Sequence, residues 1–208
     1  METMAKEFVC GECGKAFTLA PSTLARYPGW TPRQCLDCRG GRTAGAEENL
    51  TPSEVLDHFQ AGPDTGVFTD GSCEPNPGPG GWGAVKVIDG EIVQEEHGHK
   101  VHTTNNQMEL KALIEGYQML AEDEELPIYS DSALCVNTIT KWASGWERNG
   151  WTRGKKREAI KNLELVQELY AIAKERPKAR LQWIKAHEGS RWNEYTDSLS
   201  RAYKDEAE

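Results

Sequence analysis

The chain has 208 residues, 38% of them apolar, and a formal net charge of -9. This apolar content can fill a modest core in one or two domains, and the acidic balance argues against a molecule whose whole surface binds nucleic acid. There is no run of about 18 apolar residues and no apolar leader. We therefore expect a soluble, cytoplasmic protein that is monomeric and makes no membrane contacts.

Two Cys-x2-Cys pairs lie near the N-terminus, Cys10 with Cys13 and Cys35 with Cys38. Two such pairs about twenty residues apart are typical of a tetrahedral zinc site, because each pair can turn both thiolates toward one ion. A disulfide cluster or a redox pair is the alternative, which an intracellular setting disfavours. We predict one structural Zn²⁺ ion in a zinc-ribbon-like module over residues 1–42.

Residues 43–65 are predicted to form a linker that carries one short helix. Thr51 as N-cap, Pro52 in the first turn and Glu54 three residues after the cap form a capping box. The apolar side chains that follow lie on one side of the helix. This pattern predicts a helix over about residues 52–60 that packs as a spacer on the next domain.

Residues 66–208 are predicted to form a second domain in which strands and helices alternate. We expect strands over Val67–Ser72, Trp82–Ile88 and Glu91–Val101, a helix from Asn105, a short strand from Pro127 to Asp131, helices over residues 133–145 and 163–173, a strand over residues 179–187 and a helix over residues 193–204. This order implies an α/β domain with a mixed sheet and helices on its faces. The single cysteines Cys73 and Cys135 are predicted to be packing residues.

A glycine- and proline-rich stretch follows the first of these strands, and Asp70 lies at its start. Asp70 and Gly71 could form a hairpin turn. Gly78, Gly80 and Gly83 match the spacing of a dinucleotide-binding loop, but such a loop must open a helix, and the residues after it alternate like a strand. A third interpretation makes Asp70 a metal ligand, which requires partners elsewhere in the chain.

Three more acidic residues occupy comparable places. Asp131 ends a predicted strand, as Asp70 does, while Glu109 and Asp197 lie in the first turns of predicted helices. Each alone could cap a turn or stabilise a helix dipole. Four converging carboxylates would repel one another unless cations lay between them, and such oxygen ligands suit Mg²⁺ or Mn²⁺. The spacing alone leaves open whether the four converge.

Four blocks of this sequence resemble, in order, the signature blocks of the type 1 ribonucleases H. They are FTDGSCEPNPGPGGWG at residues 68–83, TTNNQMELKAL at 103–113, IYSDSALCVNTITKW at 128–142 and WIKAHEGSRWNEYTDSLSRAY at 183–203. The resemblance spans residues 67–203 and implies a ribonuclease H-like fold, a five-stranded mixed sheet flanked by helices. It also implies an endonuclease that hydrolyses the RNA strand of RNA/DNA hybrids, leaving 5′-phosphate and 3′-hydroxyl ends.

The same resemblance implies the catalytic residues. The family's four acids match Asp70, Glu109, Asp131 and Asp197, and its mobile-loop histidine matches His187. The acids would hold two Mg²⁺ or Mn²⁺ ions about 4 Å apart, which activate the attacking water and stabilise the leaving oxygen. His187 would assist proton transfer or product release, whereas the alternative is an ordinary surface histidine.

Substrate-binding residues can be matched in the same way. The resemblance implies that the amides of Asn76, Asn105 and Asn106 contact the minor groove of the hybrid and its 2′-hydroxyl groups. It also implies that Thr104 and Asn162 bind a phosphate of the DNA strand. Two departures from the family pattern are His102, where a basic residue is common, and one residue inserted near Gly154.

Residues 141–161 carry seven basic and two acidic residues and resemble the basic handle of the family. Trp142 is expected to line the channel for the DNA strand, with Lys155 and Lys156 supplying charge. The family has a second aromatic residue beside this tryptophan in the channel, and this chain has Leu134 at that position. The other handle tryptophans, Trp146 and Trp151, are expected to be largely structural.

Two other functions remain as alternatives. One is a related nuclease that acts on DNA, and the other is a nucleic-acid-binding adaptor whose catalytic domain has decayed. The asparagine set and the basic handle argue against the first, and the intact acids argue against the second. The predicted zinc module could tether nucleic acid, contact a protein or add stability, with tethering as our first hypothesis.

Overall fold

The computed structural model describes residues 6–11, 14–19, 31–33 and 50–204. The chain forms two compact units, Met1–Asn49 and Leu50–Glu208. Within the described residues, no helix combines the length and the apolar character needed to cross a membrane.

The first unit contains an antiparallel hairpin of β1 (Lys6–Val9) and β2 (Ala16–Leu19). Its turn is closed by two backbone hydrogen bonds of 2.9 Å, from the Cys10 amide to the Lys15 carbonyl and from the Gly14 amide to the Cys10 carbonyl. Cys10 is buried. The other three residues of the predicted zinc site, Cys13, Cys35 and Cys38, lie outside the described residues.

The second unit opens with helix α1 (Pro52–His58), whose predicted capping box is confirmed. The Thr51 amide donates to Glu54 Oε2 at 2.8 Å, and the Glu54 amide donates to Thr51 Oγ1 at 3.4 Å. From the sequence, this helix is predicted to belong to a linker and to pack as a spacer on the next domain. It packs on the last helix of the chain, within the same compact unit.

Five strands of the second unit form one mixed sheet, as predicted. The strands of this unit are β3 (Gly66–Cys73), β4 (Gly78–Ile88), β5 (Glu91–Thr103), β6 (Pro127–Ser130), the short β7 (Thr152–Arg153) and β8 (Glu158–Ala159), and β9 (Arg180–Trp183). The sheet order is β5-β4-β3-β6-β9, while β7 and β8 form a separate hairpin. The first three strands pair antiparallel, and β3, β6 and β9 run parallel.

Helices cover both faces of this sheet. They are α2 (Asn105–Gln118), α3 (Ala133–Asn137), a π-helical turn (Thr138–Trp142), α4 (Ala143–Arg148), α5 (Leu163–Glu175), α6 (Arg191–Arg201) and a 3₁₀ turn (Ala202–Lys204). The single helix predicted from residue 133 thus contains a π-helical turn. There the Thr140 hydroxyl donates to the Val136 carbonyl at 2.7 Å and competes with the backbone amide for that acceptor.

Two apolar clusters form the core, one on each face of the sheet. Val67 and Phe68 are neighbours in β3, and because strand side chains alternate they enter different clusters. Val67 packs with side chains of α2 and α5, such as Leu113 and Leu169. Phe68 packs with side chains of α1 and α6.

The glycine-rich stretch belongs to a strand, which excludes the dinucleotide-binding loop. β4 begins at Gly78, four residues before the predicted start, because this stretch pairs with β3 on one side and β5 on the other. A Cβ atom on Gly83 would lie 2.7 Å from Leu199 Cβ. Glycine here lets α6 approach the sheet closely.

The last predicted strand and helix also differ from the structure at their boundaries. β9 ends at Trp183 rather than residue 187, because its partner β6 offers only four residues for pairing. Helix α6 begins at Arg191, two residues before the predicted start.

Candidate active site

Three of the predicted catalytic acids converge at one edge of the sheet. Asp70 follows Thr69 in β3, and Asp131 follows Ser130 at the end of β6. Thr69 and Ser130 are paired across these two parallel strands, so the register places the two aspartates side by side. Carboxylate oxygens of Asp70, Glu109 and Asp131 all lie within 4.8 Å of one another.

Gly71 explains how Glu109 reaches this group from another element. A Cβ atom at Gly71 would lie 2.2 Å from the Glu109 amide nitrogen and 2.2 Å from the Met108 carbonyl carbon. The first turns of α2 therefore rest directly on the backbone of β3. The hairpin-turn interpretation of Asp70 and Gly71 is wrong, because both residues lie inside β3, paired with β4.

The fourth acid, Asp197, belongs to a neighbouring group on α6. One ligand atom from each of His187, Glu194 and Asp197 lies within 4.8 Å of the others. Arg201 Nη2 donates to Asp197 Oδ2 at 2.6 Å. The negative charge of Asp197 also contributes to raising the pKa of Asp70 and of Glu109, so the two groups form one electrostatic site.

Burial dominates the protonation equilibria of these acids. It raises the pKa of Asp70 well above the usual range, and the charges of Asp131 and Asp197 act in the same direction. Burial also raises the pKa of Glu109 well above its usual range, with the other three acids adding to the effect. The pKa of Asp131 is raised by burial, against a hydrogen bond from Asn193. Burial raises the pKa of Asp197 to about 6.

These features fit divalent cations. Glu109 Oε2 is buried and has no hydrogen-bond partner in the described part of the protein. A buried carboxylate oxygen without a donor is costly unless a cation neutralises it. Oxygen donors clustered in this way are the ligands that Mg²⁺ and Mn²⁺ prefer.

His187 lies on the loop between β9 and α6, beside the acids. Its backbone has a φ of 53°, in the left-handed region. Its side chain is exposed, and its Nδ1 atom lies 3.8 Å from Glu194 Oε2. The other oxygen of Glu194 accepts a hydrogen bond of 3.2 Å from the Gly189 amide, which ties this loop to α6.

Most of the predicted substrate-binding residues meet at one cavity of about 470 Å³. Those that line it are Asn76, Thr104, Asn106, Trp142 and Asn162. Exposed Leu134 and the basic residues Arg153 and Lys161 line it as well. The cavity therefore offers amides, a hydroxyl, an aromatic ring and positive charge together.

Hydrogen bonds organise the amides of this cavity. Asn162 Nδ2 donates to Asn106 Oδ1 at 2.6 Å, and Gln107 Nε2 donates to Asn162 Oδ1 at 3.3 Å. The Asn105 amide donates to Asn76 Oδ1 at 3.3 Å. Asn105 is thus joined to the set through its backbone.

The predicted handle lysines lie apart from this cavity. Lys155 and Lys156 occupy the turn between β7 and β8, and Lys155 lines a separate depression with Arg148 and Arg157. Trp146 and Trp151 pack against the core cluster of α2 and α5, as expected of structural residues. Trp146 also lines the cavity.

Comparison of the sequence with models of known protein families shows the family to which this chain belongs. The model of the RNase H family matches residues 63–204, about two thirds of the chain. The chain belongs to the RNase H family. Accordingly, it is an enzyme with ribonuclease H activity.

Curated relatives of this RNase H are similar over the same region. Ribonuclease H of Rhizobium etli is 47% identical over 135 residues, which cover 65% of this chain and 87% of the relative. Ribonuclease H of Cereibacter sphaeroides is 45% identical over 144 residues, covering 67% and 94%. Residues 1–62 lie outside the family match.

Solved structures share the fold. LC11-RNase H1 in complex with an RNA/DNA hybrid is 26% identical, with a TM-score of 0.50 over 68% of this chain and 96% of that one. RNase H1 of Halobacterium salinarum is 23% identical, with a TM-score of 0.51 over 67% and 96%, a likeness of fold alone.

Two side chains of this RNase H that orient the acids are not among the residues predicted from the sequence. Asn193 Nδ2 donates to Asp131 Oδ2 at 3.3 Å, and Ser200 Oγ donates to Asp70 Oδ2 at 2.8 Å. Both residues, like Arg201, lie three or four positions from Asp197 on α6. That spacing places them on one helical face and is the signal that could have found them.

Proposed function

We propose that this RNase H is an endonuclease that hydrolyses the RNA strand of RNA/DNA hybrids and leaves 5′-phosphate and 3′-hydroxyl ends. The observation that carries the proposal is the group of Asp70, Glu109 and Asp131, with its buried, unpartnered Glu109 oxygen. The polar cavity at Asn106 and Trp142 supports a nucleic-acid substrate.

In this proposal Asp70, Glu109, Asp131 and Asp197 hold two Mg²⁺ or Mn²⁺ ions. When bound, such ions supply a deprotonated water for in-line attack on the phosphate and neutralise charge on the leaving oxygen. The raised pKa values of the acids are consistent with this role, because a bound cation would lower them and keep the carboxylates ionised.

The protein's own side chains orient the acids and transfer protons. Ser200 and Asn193 hold the Asp70 and Asp131 carboxylates in fixed rotamers by their hydrogen bonds. Arg201 balances the charge of Asp197. His187 is exposed beside Glu194 and, in this proposal, would carry a proton between the site and solvent.

The cavity supplies selectivity in the proposal. Amides of Asn76, Asn105 and Asn106 would contact base edges and 2′-hydroxyl groups, which DNA lacks. Thr104 and Asn162 would bind a DNA-strand phosphate. Lys155 and Lys156 would attract the backbone from their exposed turn, and Trp142 would contact a sugar or base.

Cleavage of a uniformly labelled hybrid with Mg²⁺ tests the proposal against its alternatives. We expect short RNA fragments with 5′-phosphate ends, and no cleavage of matched duplex DNA, duplex RNA or single-stranded RNA. Cleavage of the DNA duplex would instead support a DNA nuclease. Binding of the hybrid without cleavage would support an adaptor.

For the first unit we propose a ribbon in which Cys10, Cys13, Cys35 and Cys38 bind one Zn²⁺ ion and which tethers nucleic acid. The Gly11 amide donates to the Arg33 carbonyl at 2.9 Å, so the chain just before the second cysteine pair runs close to Cys10. Basic residues exceed acidic ones by six to four over residues 1–42. We further propose that the protein acts as a monomer.

A further inference from the structure

Residues 50–62 lie outside the RNase H match yet pack against the helix that carries Asp197. We call this segment the brace. It consists of Leu50, the capped helix α1 and the residues that lead toward β3. Its contacts with α6 are of two kinds, apolar and backbone.

The apolar contacts fix the brace against the first turns of α6. Val55 and Phe59 are buried and share one core cluster with Trp192, Tyr195 and Leu199. These three α6 side chains lie on the side of the helix that faces the core. The brace therefore covers part of the helix that the sheet alone would leave exposed.

A backbone contact fixes the start of the helix. The Arg191 amide, in the first position of α6, donates to the Ala61 carbonyl at 2.8 Å, and Ala61 forms a parallel bridge with Ser190. The first amides of a helix have no partners within it, and the Ser190 side chain makes no cap hydrogen bond here. The brace thus supplies a partner that the helix lacks.

Gly62 makes this approach possible. Its φ is 99°, and a Cβ atom on it would lie 2.5 Å from Ser190 Oγ. A side chain at position 62 would be strained in its own backbone and would push against the start of α6. The close contact requires glycine.

The first turns of α6 carry the groups that complete the site. Asn193 donates a hydrogen bond to Asp131. Glu194 accepts a hydrogen bond from the Gly189 amide, in the loop that carries His187. Asp197 follows one turn later and pairs with Arg201. A change in the direction or fraying of this helix end would move all of them together.

We propose that the brace is a positioning element of catalysis: by holding the first turn of α6 it sets the placement of Asn193, Glu194 and Asp197. Its kinetic consequence rests on the proposed hydrolysis of hybrids. A segment outside the family match thereby controls the geometry of the family's site.

The test compares Phe59→Ala with Leu169→Ala in the full chain. Leu169 is fully buried in the other core cluster, on α5, so its truncation controls for a general loss of stability. At a temperature where both variants are folded, we expect Phe59→Ala to lower kcat roughly tenfold or more with little change in KM, because small misplacements of catalytic groups cost about that much. Leu169→Ala should keep kcat within about twofold of the wild type.

Amide hydrogen exchange by NMR supplies a second readout that does not depend on activity. Phe59→Ala should speed exchange of the Arg191 and Glu194 amides at least tenfold relative to Leu169→Ala, since local opening of α6 becomes easier. If kcat and these exchange rates match those of the control while only Tm falls, the brace is merely stabilising and the proposal is overturned. If the wild type leaves hybrids intact, the proposed function fails, and the exchange rates alone decide on the brace.

A second variant tests the proposal independently if Phe59→Ala fails to fold. Gly62→Ala should lower kcat and loosen the same amides without removing any core atoms. Adding Ser190→Gly removes the side chain that the new methyl group would strike, and should recover several-fold of the lost kcat. Failure of Gly62→Ala to change either measurement would count against the proposal.

Discussion

The Asp70 carboxylate shows, at the scale of one residue, a conflict between stability and function. It is buried beside like charges, and its main compensation within the described residues is a hydrogen bond from Ser200. Buried charges of one sign cost folding free energy, and such a cost is consistent with the catalytic role proposed for Asp70.

Asp70→Asn should abolish hybrid cleavage and raise Tm of the metal-free protein. The amide removes a metal ligand and also removes a buried charge that repels Asp131 and Asp197. The matched control is Asp123→Asn, a solvent-exposed aspartate, which should change neither quantity. Turnover close to that of the wild type would contradict the assignment of Asp70 to the site, and scanning calorimetry in chelator checks the stability.

His187→Ala should slow turnover without abolishing it. The side chain is exposed, so water can replace part of its proton transfer. Single-turnover and steady-state rates measured together would show whether chemistry or product release is slowed. A variant that folds but has no residual activity would show that His187 has an indispensable role.

Acidic pH should stabilise the metal-free protein. The pKa of Asp197 is raised to about 6 in the folded state, above its ordinary value of 3.8, and the pKa values of Asp70 and Glu109 are raised as well. Between those two values the folded state binds more protons than the unfolded state, so the free energy of unfolding falls as pH rises. For Asp197 the effect is on the order of 3 kcal/mol at most.

Thermal melts in chelator at pH 5.5 and 7.5 provide the measurement, with Asp70→Asn as the comparison. Tm should be higher at pH 5.5, the difference should shrink in Asp70→Asn, and added Mg²⁺ should raise Tm more at pH 7.5. An increase of Tm with pH in chelator would contradict the electrostatic account of the site.

Helix α2 and strand β3 act as a pair at the scale of elements, since the backbone contact at Gly71 sets where Glu109 lies. The sequence predicted both elements and placed Glu109 near the helix start. It could not predict the contact, which joins residues almost 40 positions apart and depends on the absence of a side chain. The extent of β4 was missed for a similar reason, because its glycines pair with strands on both sides.

Gly71→Ala should therefore displace α2 and lower kcat roughly a hundredfold, because a shift of about 1 Å at a catalytic group costs about that much. Gly145→Ala is the matched control, since a Cβ atom there meets nothing within 4 Å. In helix α4 that control should even stabilise the protein, by about 0.5–1 kcal/mol. Equal kcat values for the two variants would show that the Gly71 contact does not position Glu109.

At the scale of the whole molecule, the contacts that the sequence could not predict are those between distant parts of the chain. The sequence predicted the ribonuclease H fold, because each family block is a continuous stretch of chain that can be matched without knowing any long-range contact. It treated α1 as a spacer, since the contact of Val55 and Phe59 with α6 joins distant parts of the chain. Local patterns such as the capping box predicted that the helix forms and packs on the next domain, but not that it contacts α6.

A chain that begins at Leu50 retains the brace and should keep kcat. If the first unit binds zinc and tethers substrate, this truncated chain should bind hybrids more weakly, raising KM and lowering processivity. The difference should shrink at low salt, where phosphate attraction strengthens everywhere. Zinc content and hybrid affinity of both chains, measured side by side, check this: equal affinities would exclude tethering, and a full chain without zinc would exclude the ribbon.

The long separation between Asp70 and Ser200, which share a hydrogen bond, also has a consequence for biosynthesis. Synthesis proceeds from the N-terminus, so a nascent chain presents Asp70, Glu109 and Asp131 before α6 has been made. Until then Asp197 is missing, Ser200 cannot orient Asp70, and Phe59 has no α6 to pack against. On the proposed assignment of the four acids, the ribosome would therefore carry a chain with only three of them, and we expect cleavage to begin only when α6 has been released.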